Sequence, residues 1–181
     1  DGDGAVDLIF GTNVEPTMGD GQEPLMLLRN LGQRSFAAPE PIAASEPVAG
    51  AVFDLRVVDI NADGAKDLYV CNDFGGLINP NYLLLNDGSG SFSVAADDGL
   101  GLATDCMGVS EGDLDGDGSL DFVLTAIERN HLLLSQDGIW FDSGVASLPP
   151  MATKQMGWGS AIVDVDNDGL QDILMATSDF S

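Results

Sequence analysis

The chain has 181 residues, about one domain by length, and carries 30 acidic side chains against 6 basic ones, for a formal charge of −24. Such a polyanion repels phosphate backbones and anionic lipids, which excludes nucleic-acid binding and a basic membrane-binding patch. Because 44% of the residues are hydrophobic, a core can form, and a disordered acidic chain is excluded as well. The acids are 24 Asp and only 6 Glu, so we expect the charge to lie in loops, with metal cations as counter-ions.

A nine-residue pattern, D-x-[DN]-x-D-G-x-x-D, occurs three times in full, in segments that we call loops 2, 3 and 4 (residues 59–67, 113–121 and 164–172). Loop 1 (residues 1–7) is a copy that lacks its first two positions, so that Asp1, Asp3 and Asp7 occupy positions three, five and nine. A short apolar run of strand length follows each loop. A hairpin pattern follows in the first three copies, with Phe36, Phe92 or Phe141 at an equivalent place. The chain is therefore predicted to be an array of repeats.

Each repeat predicts four short strands: one before the acidic loop, one after it, and two in the hairpin. Four-stranded units of about 50 residues are typical of propeller blades. We predict an all-β fold, a partial β-propeller of antiparallel blades, with residues 43–47 as a connection between blades. The expected divisions are a blade without its first strand at 1–42, blades at 51–96 and 107–145, and the start of a further blade at 157–181. Propellers close with about 4 to 8 blades, so we expect a piece of a longer protein, with its natural N-terminus missing and the remaining blades as partners.

The acidic loops suit a hard cation. Side chains at positions one, three and five place oxygens on one side of a tight turn, and the position-seven carbonyl and position-nine carboxylate complete the set. Six or seven oxygens in a flexible arrangement favour Ca²⁺ over Mg²⁺, which predicts one Ca²⁺-binding loop in each blade. An EF-hand is excluded because it needs a Glu at position twelve, where this chain has Val70, Leu124 and Met175.

These loops, set between strands of a four-stranded repeat, resemble the FG-GAP/VCBS repeat of integrin-alpha-type β-propellers. Three segments, residues 67–74, 81–92 and 107–113, are similar to sequences of the ASPIC/UnbV-associated, cartilage-acidic-protein-like subgroup. The resemblance implies an extracellular or cell-surface protein, periplasmic or on the outer surface if bacterial, with structural Ca²⁺ at up to four sites. It implies these ligands: Asp1, Asp3, Ala5, Asp7; Asp59, Asn61, Asp63, Ala65, Asp67; Asp113, Asp115, Asp117, Ser119, Asp121; Asp164, Asp166, Asp168, Leu170, Asp172. Loop 1 is incomplete and Asn61 lowers the charge of loop 2, so we expect weaker binding at both.

The other chemistry-bearing residues support no catalytic site. Residues 108–112 match the G-x-S-x-G nucleophile elbow, but that elbow needs a helix after its Ser, and an acidic loop follows Ser110. Ser110 and the only histidine, His131, also occupy strand positions that other repeats fill with unrelated residues. A glycosidase carboxylate pair is disfavoured because the loops claim nearly half of the acids. Trp140 and Trp158 are expected in the core or between blades, and Cys71 and Cys106 as either an inter-blade disulfide or two buried thiols.

The chain is therefore expected to be a non-enzymatic module that binds a protein or glycan, with calcium holding the repeats together. The alternatives are a non-catalytic propeller appended to an extracellular hydrolase or lyase, and a structural spacer. No stretch approaches the roughly 18 apolar residues of a membrane span, so none is predicted in this segment.

Overall fold

The computed structural model describes residues 3–13, 23–46, 48–96, 98–127, 129–144, 148 and 155–179. Sixteen strands are assigned within these ranges: β1 (Leu8–Phe10), β2 (Met26–Leu28), β3 (Asn30–Gly32), β4 (Ser35–Phe36), β5 (Glu40–Pro41), β6 (Ala43–Ala44), β7 (Ala51–Val58), β8 (Asp67–Asp73), β9 (Tyr82–Asn86), β10 (Ser91–Val94), β11 (Cys106–Gly112), β12 (Asp121–Ala126), β13 (His131–Gln136), β14 (Ile139–Asp142), β15 (Met156–Val163) and β16 (Asp172–Ser178). The prediction of an all-β fold built from antiparallel strands is confirmed.

Successive stretches of the chain form successive sheets. The strand orders are β1-β2-β5, then β6-β10-β9-β8-β7, then β11-β12-β13-β14, and finally the pair β15-β16, with β3-β4 as a small separate hairpin. We call the first four of these sheets 1 to 4. Sheet 3 has the strand order predicted for a repeat. In sheets 2, 3 and 4 an acidic loop joins two antiparallel neighbours, β7 and β8, β11 and β12, and β15 and β16, whereas loop 1 precedes β1.

Sheet 2 contains one strand more than the sequence predicts. Ala43–Ala44, which we expected to be part of a connection, pairs in parallel with β10. The Ser45 amide continues the pairing by donating to the Phe92 carbonyl at 2.8 Å. A segment that leaves sheet 1 thus covers the outer edge of sheet 2. The register places Phe92 opposite Asn86 and Trp140 opposite Ser135, so the buried Trp140, and not the exposed Phe141 expected from the sequence, is the structural equivalent of Phe92.

The core lies between the faces of neighbouring sheets. Every residue of β8 is buried, because its alternate side chains point to opposite faces of the sheet. Leu68 and Val70 pack in a cluster with residues of sheet 1, while Tyr69 packs in a second cluster with residues of sheet 3. In that second cluster the rings of Tyr69 and Phe122 lie 5.2 Å apart, and Phe122 meets Trp140 at 6.1 Å.

A disulfide bond joins Cys71 of β8 to Cys106 of β11, with their Cα atoms 5.5 Å apart. It decides between the two states that the sequence left open, and it links sheets 2 and 3 through their shared core. Two polar contacts reinforce this junction: the Asp54 carboxylate accepts the Val109 amide at 3.0 Å, and Arg56 pairs with Glu111 at 3.1 Å.

The two tryptophans differ in burial. Trp140 is 7% exposed and lies in the core as predicted, whereas the Trp158 side chain is 44% exposed. Trp158 belongs to the two-stranded sheet 4, where its indole N–H donates to the Ser178 hydroxyl at 2.8 Å. Across the described ranges, no helix has the length and apolar character needed to cross a membrane.

Candidate metal centres

The acidic loops are placed at the same end of their sheets. Loops 2, 3 and 4 connect β7 to β8, β11 to β12 and β15 to β16, and loop 1 leads into β1. Their shape requires a left-handed backbone at two positions. At position six, Gly64, Gly118 and Gly169 have φ near 90°, where a residue without Cβ carries no strain. At position four the φ angles are 57° for Ala62, 78° for Gly116 and 63° for Asn167.

Hydrogen bonds fix the carboxylates at positions one and five. In loop 3, Asp113 accepts the amides of Asp117 at 3.1 Å and Gly118 at 3.0 Å. Asp117 in turn accepts the amide of Ser119 at 2.7 Å. The same three bonds recur at equivalent positions of loops 2 and 4. The turn therefore closes around its acidic side chains and holds their oxygens in place.

The position-nine carboxylate joins the loop to the rest of its sheet. In loop 3 one oxygen of Asp121 accepts the Leu114 amide at 2.8 Å, and the other accepts the Ser135 amide of β13 at 2.8 Å. Asp121 is fully buried. Burial therefore raises the pKa of its carboxyl group, and the charges of Asp115 and Asp117 add to that rise. A bound cation would oppose both effects.

Two loops gather three carboxylates at ion-binding distance. One oxygen from each of Asp113, Asp115 and Asp117 lies within 4.8 Å of the others, and the same holds for Asp164, Asp166 and Asp172. These donor sets are hard oxygens, the ligands that Ca²⁺ prefers. Like charges this close repel each other, and a divalent cation removes that repulsion. The residues present in loops 3 and 4 therefore fit a bound Ca²⁺.

Loop 2 differs at position three. The Asn61 amide nitrogen donates to an Asp63 oxygen at 2.9 Å, and its carbonyl oxygen accepts the Asp63 amide at 3.0 Å. An N–H group thus occupies an Asp63 oxygen in loop 2, whereas Asp115 and Asp166 at position three of loops 3 and 4 have no side-chain N–H to donate. In loop 1, Asp3 accepts the Ala5 amide at 2.8 Å and Asp7 accepts the Asn30 amide at 2.7 Å, and Asp1 lies outside the described residues.

The other predicted ligands also lie in the loops, and their role in binding a cation stays a prediction. Asp168 lies in loop 4 beside its three clustered carboxylates, but it is not one of the three. Ala65, Ser119 and Leu170 stand at position seven, where their amides bond to the position-five carboxylates. That their carbonyl oxygens bind the cation stays a prediction.

The structure also shows loop-contacting residues that the sequence did not single out. These residues are Asn30, Asn86 and Trp140, of which only Trp140 was named from the sequence, as an expected core or inter-blade residue. Each donates a side-chain N–H to a backbone carbonyl of its own loop. The sequence gives little indication of this contact, because two different residue types at different places in the hairpin make the equivalent bond.

The residues of the nucleophile-like motif are engaged elsewhere. The Ser110 and Ser160 hydroxyl oxygens are 2.8 Å apart, and the His131 ring bonds to Asp142 at 2.8 Å. Arg129 also bonds to Asp142. Burial opposes charge on Asp142, but the bond to His131 and the charges of His131 and Arg129 outweigh it and lower the pKa of its carboxyl group. That the chain is not an enzyme stays a prediction.

The model of the FG-GAP-like repeat matches the chain three times, over residues 1–70, 59–124 and 113–175. The chain belongs to the FG-GAP-like repeat family. These matches support the FG-GAP-like repeat family and do not confirm the ASPIC/UnbV subgroup. Repeats of this family are typical of extracellular proteins, and the disulfide is consistent with that location.

A comparison with curated proteins finds no significant match. Among solved structures, the fold is similar to that of an Agrocybe aegerita lectin described as recognising non-reducing terminal N-acetylglucosamine, with 19% identity, a TM-score of 0.51, and coverage of 94% of this chain and 46% of the lectin. It is also similar to the exotype rhamnogalacturonan lyase YesX, with 18% identity, a TM-score of 0.53, and coverage of 97% of this chain and 37% of the lyase. The chain thus spans less than half of either protein, and the likeness concerns the fold alone.

Proposed function

We propose that the chain is a calcium-binding segment of a β-propeller, in which the cations hold the acidic turns in shape and so stabilise each sheet. The observation that carries this proposal is the pair of three-carboxylate clusters in loops 3 and 4, whose oxygens lie within 4.8 Å of one another. The described sheets form an open series. Closure into a propeller, with further blades of the same protein as partners, is part of the proposal.

We further propose that this segment belongs to a secreted or cell-surface protein, and that the module binds a protein or a glycan. Family membership and the buried inter-sheet disulfide support the location. The descriptions of both similar structures concern carbohydrates, one as a lectin and one as a polysaccharide lyase, so glycans are the ligands to test first. The engaged Ser110 and His131 side chains support a non-catalytic role.

The calcium role is tested by thermal melting of the chain with calcium and with a chelator. Since ligand that binds only the folded state raises stability by mass action, we expect calcium to raise the melting temperature and chelation to lower it. The matched variants are Asp117→Asn, which removes one charge from loop 3, and Asp137→Asn, which removes one exposed charge from a hairpin turn. The calcium effect should shrink only in the former, and equal calcium effects in both variants would contradict the proposal.

The binding role is tested on a glycan array and by protein pull-down, each with calcium present. A ligand whose binding is lost on chelation supports the module, and no binding of either class supports a structural spacer. In the alternative, a non-catalytic propeller appended to an extracellular hydrolase or lyase, catalysis lies in sequence outside residues 1–181. The full-length reading frame distinguishes the two.

A further inference from the structure

The outer hairpin of each repeat is bonded to the acidic loop of the same repeat. In the first three repeats, the backbone N–H of one hairpin residue donates to the position-nine carboxylate. The three bonds run from Asn30 to Asp7 at 2.7 Å, from Asn86 to Asp67 at 2.9 Å, and from Ser135 to Asp121 at 2.8 Å. Because this contact recurs in three independent copies, it is a feature of the repeat.

A second bond reaches the backbone carbonyl at position eight. The side-chain amides of Asn30 and Asn86 donate to Val6 and Lys66, each at 2.9 Å. The third repeat has Ser135 in place of the Asn, and a serine hydroxyl is shorter. There the indole N–H of Trp140 donates to the position-eight carbonyl of Leu120 at 2.7 Å. Two unrelated side chains, at different points of the hairpin, thus satisfy the same carbonyl.

In repeat 2 one asparagine spans both the loop and the turn of the hairpin. While the Asn86 amide nitrogen binds loop 2, its carbonyl oxygen accepts the amides of Gly88 at 3.0 Å and Gly90 at 3.2 Å. In the first repeat, Asn30 accepts the Gly32 amide at 2.9 Å in the same way. A change in the loop backbone therefore acts directly on the residue that closes the turn.

We propose that Asn30, Asn86 and Trp140 are positioning residues of the cation loops, and that through them calcium occupancy sets the stability of the outer hairpins. This inference rests on the calcium binding proposed above. Position eight lies between the predicted carbonyl ligand at position seven and the predicted carboxylate ligand at position nine. A hairpin that holds the position-eight carbonyl therefore preorganises both ligands. The coupling is reciprocal by thermodynamic linkage, so calcium in the loop must stabilise the hairpin to the same degree.

Amide hydrogen exchange of the 181-residue chain tests the coupling, with calcium or with a chelator. We expect calcium to slow exchange at the Asn86, Gly88 and Ser135 amides by at least about fivefold more than at the Asn81 amide. The Asn81 amide is the reference because it bonds to the Leu102 carbonyl, outside the loops and hairpin turns.

The Asn86→Ser variant removes the position-eight bond together with the turn bonds from the Gly88 and Gly90 amides, because it copies Ser135 without supplying the Trp140 contact. We expect the calcium Kd of loop 2 to rise about fivefold, the effect of losing one hydrogen bond of about 1 kcal/mol, and the calcium response of the Gly88 amide to fall. Loop 3 and the Ser135 amide should be unchanged. The control is Asn79→Ser, which removes an amide bond to the Ala49 carbonyl at the end of sheet 2 opposite loop 2.

A second pair of variants tests the third repeat, where the donor is an indole. Trp140→Phe keeps an aromatic ring against Phe122 but removes the N–H donor and one ring of the indole, so we expect about a fivefold higher Kd at loop 3 from the lost hydrogen bond. In Trp158→Phe, Trp140 is the only tryptophan left, and its fluorescence should change with calcium along the loop 3 binding curve. This spectroscopic response would not arise if Trp140 were only a packing residue remote from the loop.

The outcomes separate the two proposals. If the unmodified chain binds no calcium, the proposed function fails and the coupling fails with it. If calcium binds but the hairpin amides exchange no more slowly than Asn81, or if Asn86→Ser and Trp140→Phe leave both Kd values unchanged, the coupling is overturned while the calcium function stands.

Discussion

Loops 2 and 3 have nearly the same backbone but a different set of predicted cation ligands. Both close through amide bonds to the position-one and position-five carboxylates, and both anchor position nine in their own hairpin. They differ at position three, where loop 2 has Asn61 and loop 3 has Asp115. Of these two loops, only loop 3 has a three-carboxylate cluster among the described residues. The turn is thus formed by hydrogen bonds common to both loops, and we expect position three to set its affinity for a cation.

The largest expected effect comes from removing the position-one acid. Asp113 accepts three amides, from Gly116, Asp117 and Gly118, and is also a predicted ligand. Asp113→Ala should abolish calcium binding at loop 3 and destabilise the chain by about 2–4 kcal/mol in calcium, since three charge-assisted bonds are lost together with the bound cation. Asp59→Ala should cost less at loop 2, where less binding energy is present to lose. Calorimetry and chemical denaturation measure the two variants, and an equal cost at both loops would contradict the comparison.

Swapping the residues at position three between loops 2 and 3 should swap the calcium affinities of the two loops. Asn61→Asp adds a carboxylate and removes the N–H that occupies Asp63, and Asp115→Asn does the reverse in loop 3. We expect about a tenfold tighter Kd for calcium at loop 2 and about a tenfold weaker Kd at loop 3, equivalent to roughly 1.4 kcal/mol each. Site-resolved titration by NMR measures both. Affinities that stay with their loops after the exchange would show that position three is not the determinant.

Position four offers a test of backbone strain without a change of charge. Ala62 has a φ of 57° and the equivalent Gly116 has 78°, a region that costs an L-residue about 1 kcal/mol and glycine little. Ala62→Gly should therefore stabilise loop 2 by up to about 1 kcal/mol, and Gly116→Ala should destabilise loop 3 by a similar amount. Thermal melting of the pair is the measurement. Shifts of the same sign in both variants would refute the strain argument.

The smallest effect is the dependence of stability on pH that Asp121 of loop 3 contributes. Burial raises the pKa of Asp121 in the folded chain, so its ionisation favours the unfolded chain. The calcium-free protein should accordingly lose stability as the pH rises from the ordinary Asp value through the raised pKa of Asp121. Asp121→Asn cannot titrate and keeps one oxygen as an acceptor. The difference in unfolding free energy between wild type and this variant should therefore slope downward with pH in chelator, and calcium should flatten that slope. A free-energy difference that does not change with pH in chelator would contradict this prediction.

The repeats and the acidic loops could be predicted from local sequence patterns, because both depend on residues close together in the chain. The φ angles of Gly64, Gly118 and Gly169 match what the D-G step predicts. Contacts across sheets were less accessible. The Cys71–Cys106 bond depends on how two sheets face each other, and the pairing of Ala43–Ala44 with β10 depends on where a connection crosses an edge. The bond from Trp140 to the Leu120 carbonyl likewise needs a side-chain direction that no periodicity supplies.

The central claim, that these acidic loops are calcium sites, is tested most directly by calorimetric titration of the whole chain with calcium. We predict two tighter sites that disappear one at a time in Asp113→Ala and Asp164→Ala, together with weaker binding that Asn61→Asp strengthens. Titration that shows no calcium-dependent heat, or heat that none of these three variants changes, would contradict the account.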